Sequence, residues 1–309
     1  MSSFLSALLV IAVVLINTEG IGQLSNGTVF REIEVAGVTR TYRLHLPRGM
    51  PRASVLPLVL VFHGGRSTAA AMERLTRFSL LADREHFIVV YPQGLSNHWN
   101  DGRDPDVVGA RADVDDVQFV GAMTDELVRE GLVDRKRVYA TGLSNGGIFS
   151  HYLAARLSDR ITAIAAVAGG LANRFLPAFR PEAPVSVLIL HGTEDPFVPI
   201  GGGDVRGRRG RLIPTKQAIE SWVKANGCSG PAKTYDLADT DPSDGCRITS
   251  TIWSDGRDAT EVIYDEVQGG GHTCPGGAQS LPPMIVGRTC RDLDATAAIW
   301  EFFKRHRKP

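Results

Sequence analysis

Short runs of apolar, often β-branched residues recur along the chain and end at Gly or Pro, at residues 58–62, 87–91, 137–141 and 185–190. Their length and their bounds predict buried strands. Between them lie stretches with helical spacing, such as Val117, Val120, Thr124, Leu127 and Val128. Strands that alternate with helices predict an α/β fold, with a mostly parallel central sheet flanked by helices. Ahead of this unit, residues 29–36 and 40–46 show strand character around a Gly37-Val38 turn, an opening hairpin. Behind it, a late strand at 261–267 and an amphipathic helix through Ala295, Ile299, Trp300 and Phe303 complete the pattern. No Pro/Ser-rich linker and no repeat of solenoid period divides the chain, so residues 21–309 are expected to form one domain. The loosest stretch, residues 201–210 (GGGDVRGRRG), is too rich in Gly and Arg to pack. It is expected to be a solvated, mobile loop, with a lid contacting acidic sugars as the alternative.

Composition narrows the class. Hydrophobic residues at 43% and charged residues at 22% are globular values, which exclude disordered, collagen-like and multi-span membrane chains. Lys and Arg number 34 against 34 Asp and Glu, so no long-range field draws in phosphate backbones or anionic lipid, and nucleic-acid binding is not expected. Aromatics make up only 7%, which argues against an added Trp/Tyr-rich polymer-binding module. At the start of the chain no charged side chain occurs between Ser2 and Thr18, and residues 4–16 are almost continuously apolar. That length suits a signal-peptide core and falls short of a spanning helix. Residues 1–20 are therefore expected to be a signal peptide, with an uncleaved anchor as the alternative. A signal peptide implies a secreted or periplasmic protein with no stable membrane association after cleavage. In such a compartment the cysteines Cys228, Cys246, Cys274 and Cys290 invite disulfides, with three possible connectivities. Sequence neighbours suggest Cys228 with Cys246 and Cys274 with Cys290, each closing a loop worth ~3 kcal/mol in the chain-entropy picture. Four free thiols are the alternative.

The candidate chemistry centres on Gly142-Leu143-Ser144-Asn145-Gly146, a G-x-S-x-G motif where strand 137–141 meets a helix. A similar tetrapeptide, Gly94-Leu95-Ser96-Asn97, is followed by His98 and lies in a loop, so it lacks that context. The motif needs glycine because a nucleophile turn strains its serine and brings strand and helix together without room for a Cβ. A serine nucleophile needs a histidine base held by a carboxylate, and with this motif both lie downstream in the order acid, then histidine. Asp195 follows strand 185–190 at the carboxyl edge of the sheet, with Glu194 as the alternative acid. His272 follows the last strand and Gly269-Gly270-Gly271, and suits the base. The oxyanion donors expected are the N–H groups of Asn145 and of Gly65, in His63-Gly64-Gly65-Arg66, with Arg66 as the alternative to Gly65. His63 is expected to brace its loop and His151 to be a helix residue without a catalytic role. Trp99 is a candidate for lining a substrate pocket, or else packs structurally. The chain contains no H-E-x-x-H, C-x-x-C, G-x-x-x-x-G-K-[ST] or G-x-G-x-x-G, so no metal and no cofactor are expected. The acids Asp113, Asp115 and Asp116 are expected to cap the helix that starts near Val117.

These residues resemble the secreted esterase group that contains polyhydroxybutyrate depolymerase-like proteins and the feruloyl and acetylxylan esterases of carbohydrate esterase family 1. The similar segments are residues 42–47, 58–65, 81–92, Trp99-Asn100, 115–117, 138–147, 191–199, 270–273 and 295–303, most of the chain after residue 20. Ser144-Asn145-Gly146-Gly147 together with Gly271-His272-Thr273 is the most specific part. The resemblance implies an α/β-hydrolase fold, a Ser144, Asp195 and His272 triad, and extracellular cleavage of small-molecule or polysaccharide-linked carboxylic esters. It also marks two departures: Cys274 stands where the group often has Trp, and Arg66 enters a loop that is often Gly and Ser. Residues 21–309 are thus expected to be a serine esterase catalytic domain, acting on feruloyl or acetyl esters of plant polysaccharides or related soluble esters. A depolymerase of poly(3-hydroxybutyrate) or hydroxyalkanoate oligomers is the alternative. A non-catalytic binding protein on the same fold is the remote one.

Overall fold

In a computed structural model, described for residues 27–49, 54–279 and 281–309, strands and helices alternate as the apolar pattern requires. The expected signal peptide at residues 1–20 lies outside the described residues. The strands are β1 (Gly27–Val35), β2 (Val38–Leu46), β3 (Leu56–Phe62), β4 (Ile88–Pro92), β5 (Val133–Leu143), β6 (Ala163–Val167), β7 (Ser186–Gly192), β8 (Gly203–Asp204), β9 (Arg211–Leu212), β10 (Lys233–Asp236), β11 (Arg247–Trp253) and β12 (Val262–Gln268). Ten of them form one sheet in the order β1-β2-β4-β3-β5-β6-β7-β12-β11-β10, and β8 pairs with β9 in a separate two-stranded ribbon. The six strands from β4 to β12 in that order run parallel, and the strands at both margins are antiparallel. The opening hairpin turns at Ala36 (φ 50°) and Gly37 (φ 75°), one residue before the expected turn. Two successive positive φ values match the twist of a tight hairpin.

The helices are α1 (Ala69–Thr76), α2 (Phe78–Glu85), α3 (Pro105–Val108), α4 (Asp116–Arg129), α5 (Asn145–Arg156), α6 (Thr215–Asn226), α7 (Pro283–Val286) and α8 (Ala295–Phe303). Side chains alternate across each central strand, so β3 sends Leu58, Leu60 and Phe62 to one layer and Val59 and Val61 to the other. The first layer packs against α4, α5 and α6, and the second against α1, α2 and α8. A strand covered on both faces must be apolar throughout, and β3 is buried along nearly its whole length. Asp115 caps α4 by accepting the Gln118 N–H at 2.9 Å, as expected. Asp116 does something else: it is buried and bound by Arg40 at 2.6 Å, joining α4 to β2.

Residues 201–210 are held in place by the β8–β9 ribbon, by Val205 N–H to Gly210 O at 2.9 Å and by Arg206 N–H to Phe197 O at 2.9 Å. Val205 is buried in the first core layer, and the other side chains of the segment are exposed or half-buried. None of the four cysteines is joined to another in the structure, so neither pair suggested by sequence proximity is formed there. Cys228 packs against one core layer and Cys274 against the other, while Cys246 and Cys290 share a small separate cluster. No helix among the described residues is long and apolar enough to cross a membrane.

Candidate active site

Three loops leave the carboxyl ends of β5, β7 and β12, which lie on the same edge of the sheet because these strands are parallel. They carry Ser144, Asp195 and His272. Ser144 sits between β5 and α5 with φ 58° and ψ −120°, a strained conformation for a residue with a Cβ. Its N–H donates to Val167 O at 2.9 Å, and its carbonyl accepts the Ile148 N–H at 2.9 Å, closing the first turn of α5. The flanking glycines are required by close approach. A Cβ on Gly146 would stand 2.3 Å from Phe62 O, and one on Gly142 would stand 2.5 Å from the Gly146 carbonyl carbon. The sequence pattern therefore fixes a sharp turn that pushes Ser144 out of the sheet edge.

Asp195 and His272 are in direct contact, with His272 Nδ1 donating to Asp195 Oδ2 at 2.8 Å. The other oxygen, Oδ1, accepts the N–H groups of Phe197 and Val198, both at 2.8 Å. Burial acts to raise the Asp195 pKa, but the bonds from His191, His272 and the Val198 N–H outweigh it and hold the carboxyl well below its usual range. Asp195 is therefore ionised at neutral pH. Glu194, the alternative acid, is exposed. The His272 ring is stacked on Phe197, with centroids 5.0 Å apart, and the backbone N–H of His272 donates to Val286 O at 2.6 Å. An imidazole clamped in this way by a carboxylate at Nδ1 presents Nε2 as a proton acceptor.

The expected oxyanion donors also converge. A Cβ built on Gly65 would lie 3.7 Å from Asn145 Cβ, and one on Gly64 would lie 3.5 Å from Ser144 Cβ. The Arg66 N–H is already donated to Asn97 O at 2.8 Å, which leaves it unsuited to the role. Among the described residues neither the Gly65 nor the Asn145 N–H meets an acceptor. His63 braces this loop from below: its Nδ1 donates to Gly64 O at 2.8 Å and its Nε2 accepts the Gly94 N–H at 3.0 Å. Burial lowers its pKa to about 4, so it is neutral and keeps that tautomer.

Trp99 is not in a pocket wall. It is 0% exposed, stacked on Phe149 at 5.1 Å, with its indole N–H donated to His63 O at 2.9 Å. Its backbone N–H reaches Asn145 Oδ1 at 2.9 Å, so it supports the first turn of α5 from inside the core. The apolar ring found more partners under the sheet edge than in solvent. Sequence reading missed what lies beside it. Asn145 Nδ2 donates to Asp101 Oδ2 at 2.6 Å, and Asp101 is bound by Arg103 through Nε at 3.0 Å and Nη2 at 2.5 Å. These charges are buried, and their pairing is invisible in a segment that reads only as loop. As for metals, Asp244, Cys246 and Cys290 are the one convergent group of ligating side chains among the described residues, with ligand atoms within 4.8 Å of one another. They do not touch Ser144, Asp195 or His272 through any hydrogen bond of the described residues.

Comparison with known proteins agrees with this architecture. A family model described as esterase PHB depolymerase matches residues 40–196, just over half of the chain. The Nocardia uniformis subsp. tsuyamanensis protein NocK, named as an esterase, is 33% identical over 287 residues, 89% of this chain and 82% of that protein. Feruloyl esterase B of Piromyces equi is 28% identical over 235 residues, covering 73% of this chain but only 41% of that longer protein. Among solved structures, an acetyl xylan esterase from Aspergillus awamori superimposes with a TM-score of 0.57 at 17% identity, covering 79% of this chain and 94% of that one. At that identity the likeness concerns the fold, and it is the α/β-hydrolase fold expected from the sequence.

Proposed function

The chain belongs to the esterase PHB depolymerase family and is a carboxylic-ester hydrolase, and we propose that it works through an acyl-enzyme on Ser144 with His272 as base and Asp195 as its orienting acid. The observation that carries this reading is the strained Ser144 turn at the same sheet edge as the 2.8 Å His272–Asp195 contact. His272 Nε2 takes the Ser144 proton as Oγ attacks the ester carbonyl carbon. The oxyanion that forms is held by the N–H groups of Gly65 and Asn145. Collapse breaks the bond to the alcohol oxygen, which leaves with the proton returned by His272. Water, deprotonated by the same ring, then releases the acid and restores Ser144.

Feruloyl or acetyl esters of plant polysaccharides, or related soluble esters, are the proposed substrates, with export directed by residues 1–20. The name of the matching family favours hydroxybutyrate oligomers as the second reading. Turnover of methyl ferulate, acetylated xylan and hydroxybutyrate oligomers at equal concentration separates them, and absence of ferulate and acetate release would remove the first. For the site itself, Ser144→Ala is expected to lower kcat on p-nitrophenyl acetate by up to ~10⁶-fold with an unchanged circular dichroism spectrum. Wild-type turnover by that variant would overturn the assignment.

A further inference from the structure

The chain carries no net charge, yet residues 201–211 hold Arg206, Arg208, Arg209 and Arg211 against the single acid Asp204. Arg66, beside the oxyanion-hole glycine, adds to them. Among the described residues no carboxylate lies within 4.0 Å of any of these five guanidinium groups. The segment is tied to the proposed site at two points. Arg103, which holds Asp101 beneath Asn145, donates from Nη1 to Arg209 O at 2.6 Å. Arg206 lies 4.7 Å over the ring of Phe197, the same ring that stacks on His272, and donates to Ile285 O at 3.3 Å. Arg103 itself is neutralised by Asp101, and the five arginines outnumber the acids Glu194, Asp195 and Asp204 of this edge, so the surplus charge is positive. Burial lowers the Arg209 pKa, and the positive charges of Arg66 and Arg103 lower it further.

Like charges held together at a substrate-binding edge, on a backbone fixed by hydrogen bonds, are stabilised when an anion enters. Guanidinium groups match a carboxylate best, because their planar forks bind both of its oxygens. We propose that Arg66 and Arg209 form a carboxylate-binding rim that selects esters bearing a free carboxylate on the acyl or the alcohol portion. This rests on Ser144 being the nucleophile, and it narrows the substrate class at that same site.

The test compares matched ester pairs on wild type, Arg66→Gln, Arg209→Gln and the double variant. p-Nitrophenyl butyrate against p-nitrophenyl hemisuccinate places the charge on the acyl side. Phenyl acetate against 4-carboxyphenyl acetate places it on the alcohol side. In at least one pair the anionic-to-neutral ratio of kcat/KM should fall about tenfold or more in the double variant. In wild type the same ratio should fall when ionic strength is raised to about 0.5 M, which screens exposed charges. A ratio that moves less than about twofold in both pairs overturns the proposal. A second readout does not depend on turnover: binding of monoethyl glutarate and of neutral diethyl glutarate to the Ser144→Ala protein, followed by ligand-observed NMR. The monoanion should bind more tightly and lose that advantage in the double variant, and equal binding of the two would overturn the rim. Neutral-ester hydrolysis that survives Ser144→Ala instead overturns the nucleophile assignment, so the two failures are distinct.

Discussion

Replacing Asp195 by Asn keeps the side chain's shape and removes its charge, and the surrounding hydrogen bonds set the cost. In the native site Oδ1 accepts two backbone N–H groups at 2.8 Å each and Oδ2 accepts His272 Nδ1–H at 2.8 Å. An amide has one acceptor end and one donor end. If its oxygen stays on the two backbone donors, its NH₂ faces His272 Nδ1, which must then accept. The ring proton moves to Nε2, where it blocks removal of the Ser144 proton. If the amide flips, its NH₂ meets the Phe197 and Val198 N–H groups, and two bonds to a charged acceptor worth ~1.5–3 kcal/mol each are lost. The competent tautomer thus lies about 3–6 kcal/mol higher, a loss of roughly 10²- to 10⁴-fold in kcat. The assay is kcat on p-nitrophenyl acetate, with Glu194→Gln as a control because Glu194 is exposed. That control should stay within about twofold of wild type. Asp195→Asn retaining kcat within about tenfold, or Glu194→Gln losing as much, would refute the orientation argument.

Gly146→Ala forces a Cβ against Phe62 O and His63 O, at 2.3 and 2.8 Å, and backbone atoms cannot swing aside. It should cost ~1–3 kcal/mol or more and lower kcat, and an unchanged urea midpoint and rate would contradict the close packing of α5 on β3. Arg40→Met leaves Asp116 buried without its 2.6 Å partner, which should cost about 3–5 kcal/mol in urea unfolding. Pairing it with Asp116→Leu should recover much of that loss, and additive losses in the double variant would count against a buried ion pair. Burial lowers His63 to about 4 and His151 to about 3, so between those values and the ordinary 6.5 the unfolded chain binds more protons. Their contribution to stability is complete above pH 6.5 and is lost as pH falls through that window. Between pH 6.5 and 5 each should remove on the order of 2 kcal/mol, and a flat urea-denaturation stability over that range would show that the rings are not buried neutral.

Periodicity located β3, β4, β5, β7 and β12 to within a few residues because each is an apolar run bounded by Gly, Pro or a polar turn. It missed β6, Ala163–Val167, since an alanine-rich run between apolar neighbours has more helix than strand character. Only its position between β5 and β7, covered on both faces, makes it a strand. β10 was also missed. All four of its residues are exposed, and an edge strand held by backbone bonds to β11 has no burial to impose a pattern.

The site divides along the same line. Ser144 and its glycines could be read because their constraint is local: a strained turn demands small neighbours within two residues. The meeting of Asp195 and His272 follows from a parallel sheet that delivers strand ends to one edge. Trp99, Asp101 and Arg103 could not be read, because their partners are decided by loops that meet far apart in sequence. Asn145 and Asp101 are separated by 44 residues, and Arg103 and the Arg209 carbonyl by 106. Cys246 and Cys290, far apart in sequence, likewise share one small cluster. A loop residue's role is set by which buried donor or acceptor it must satisfy. At this sheet edge that accounting makes Trp99 and Asp101 supports for Asn145. Among the described residues the same accounting leaves the guanidinium groups of Arg66 and Arg209 without an acid partner.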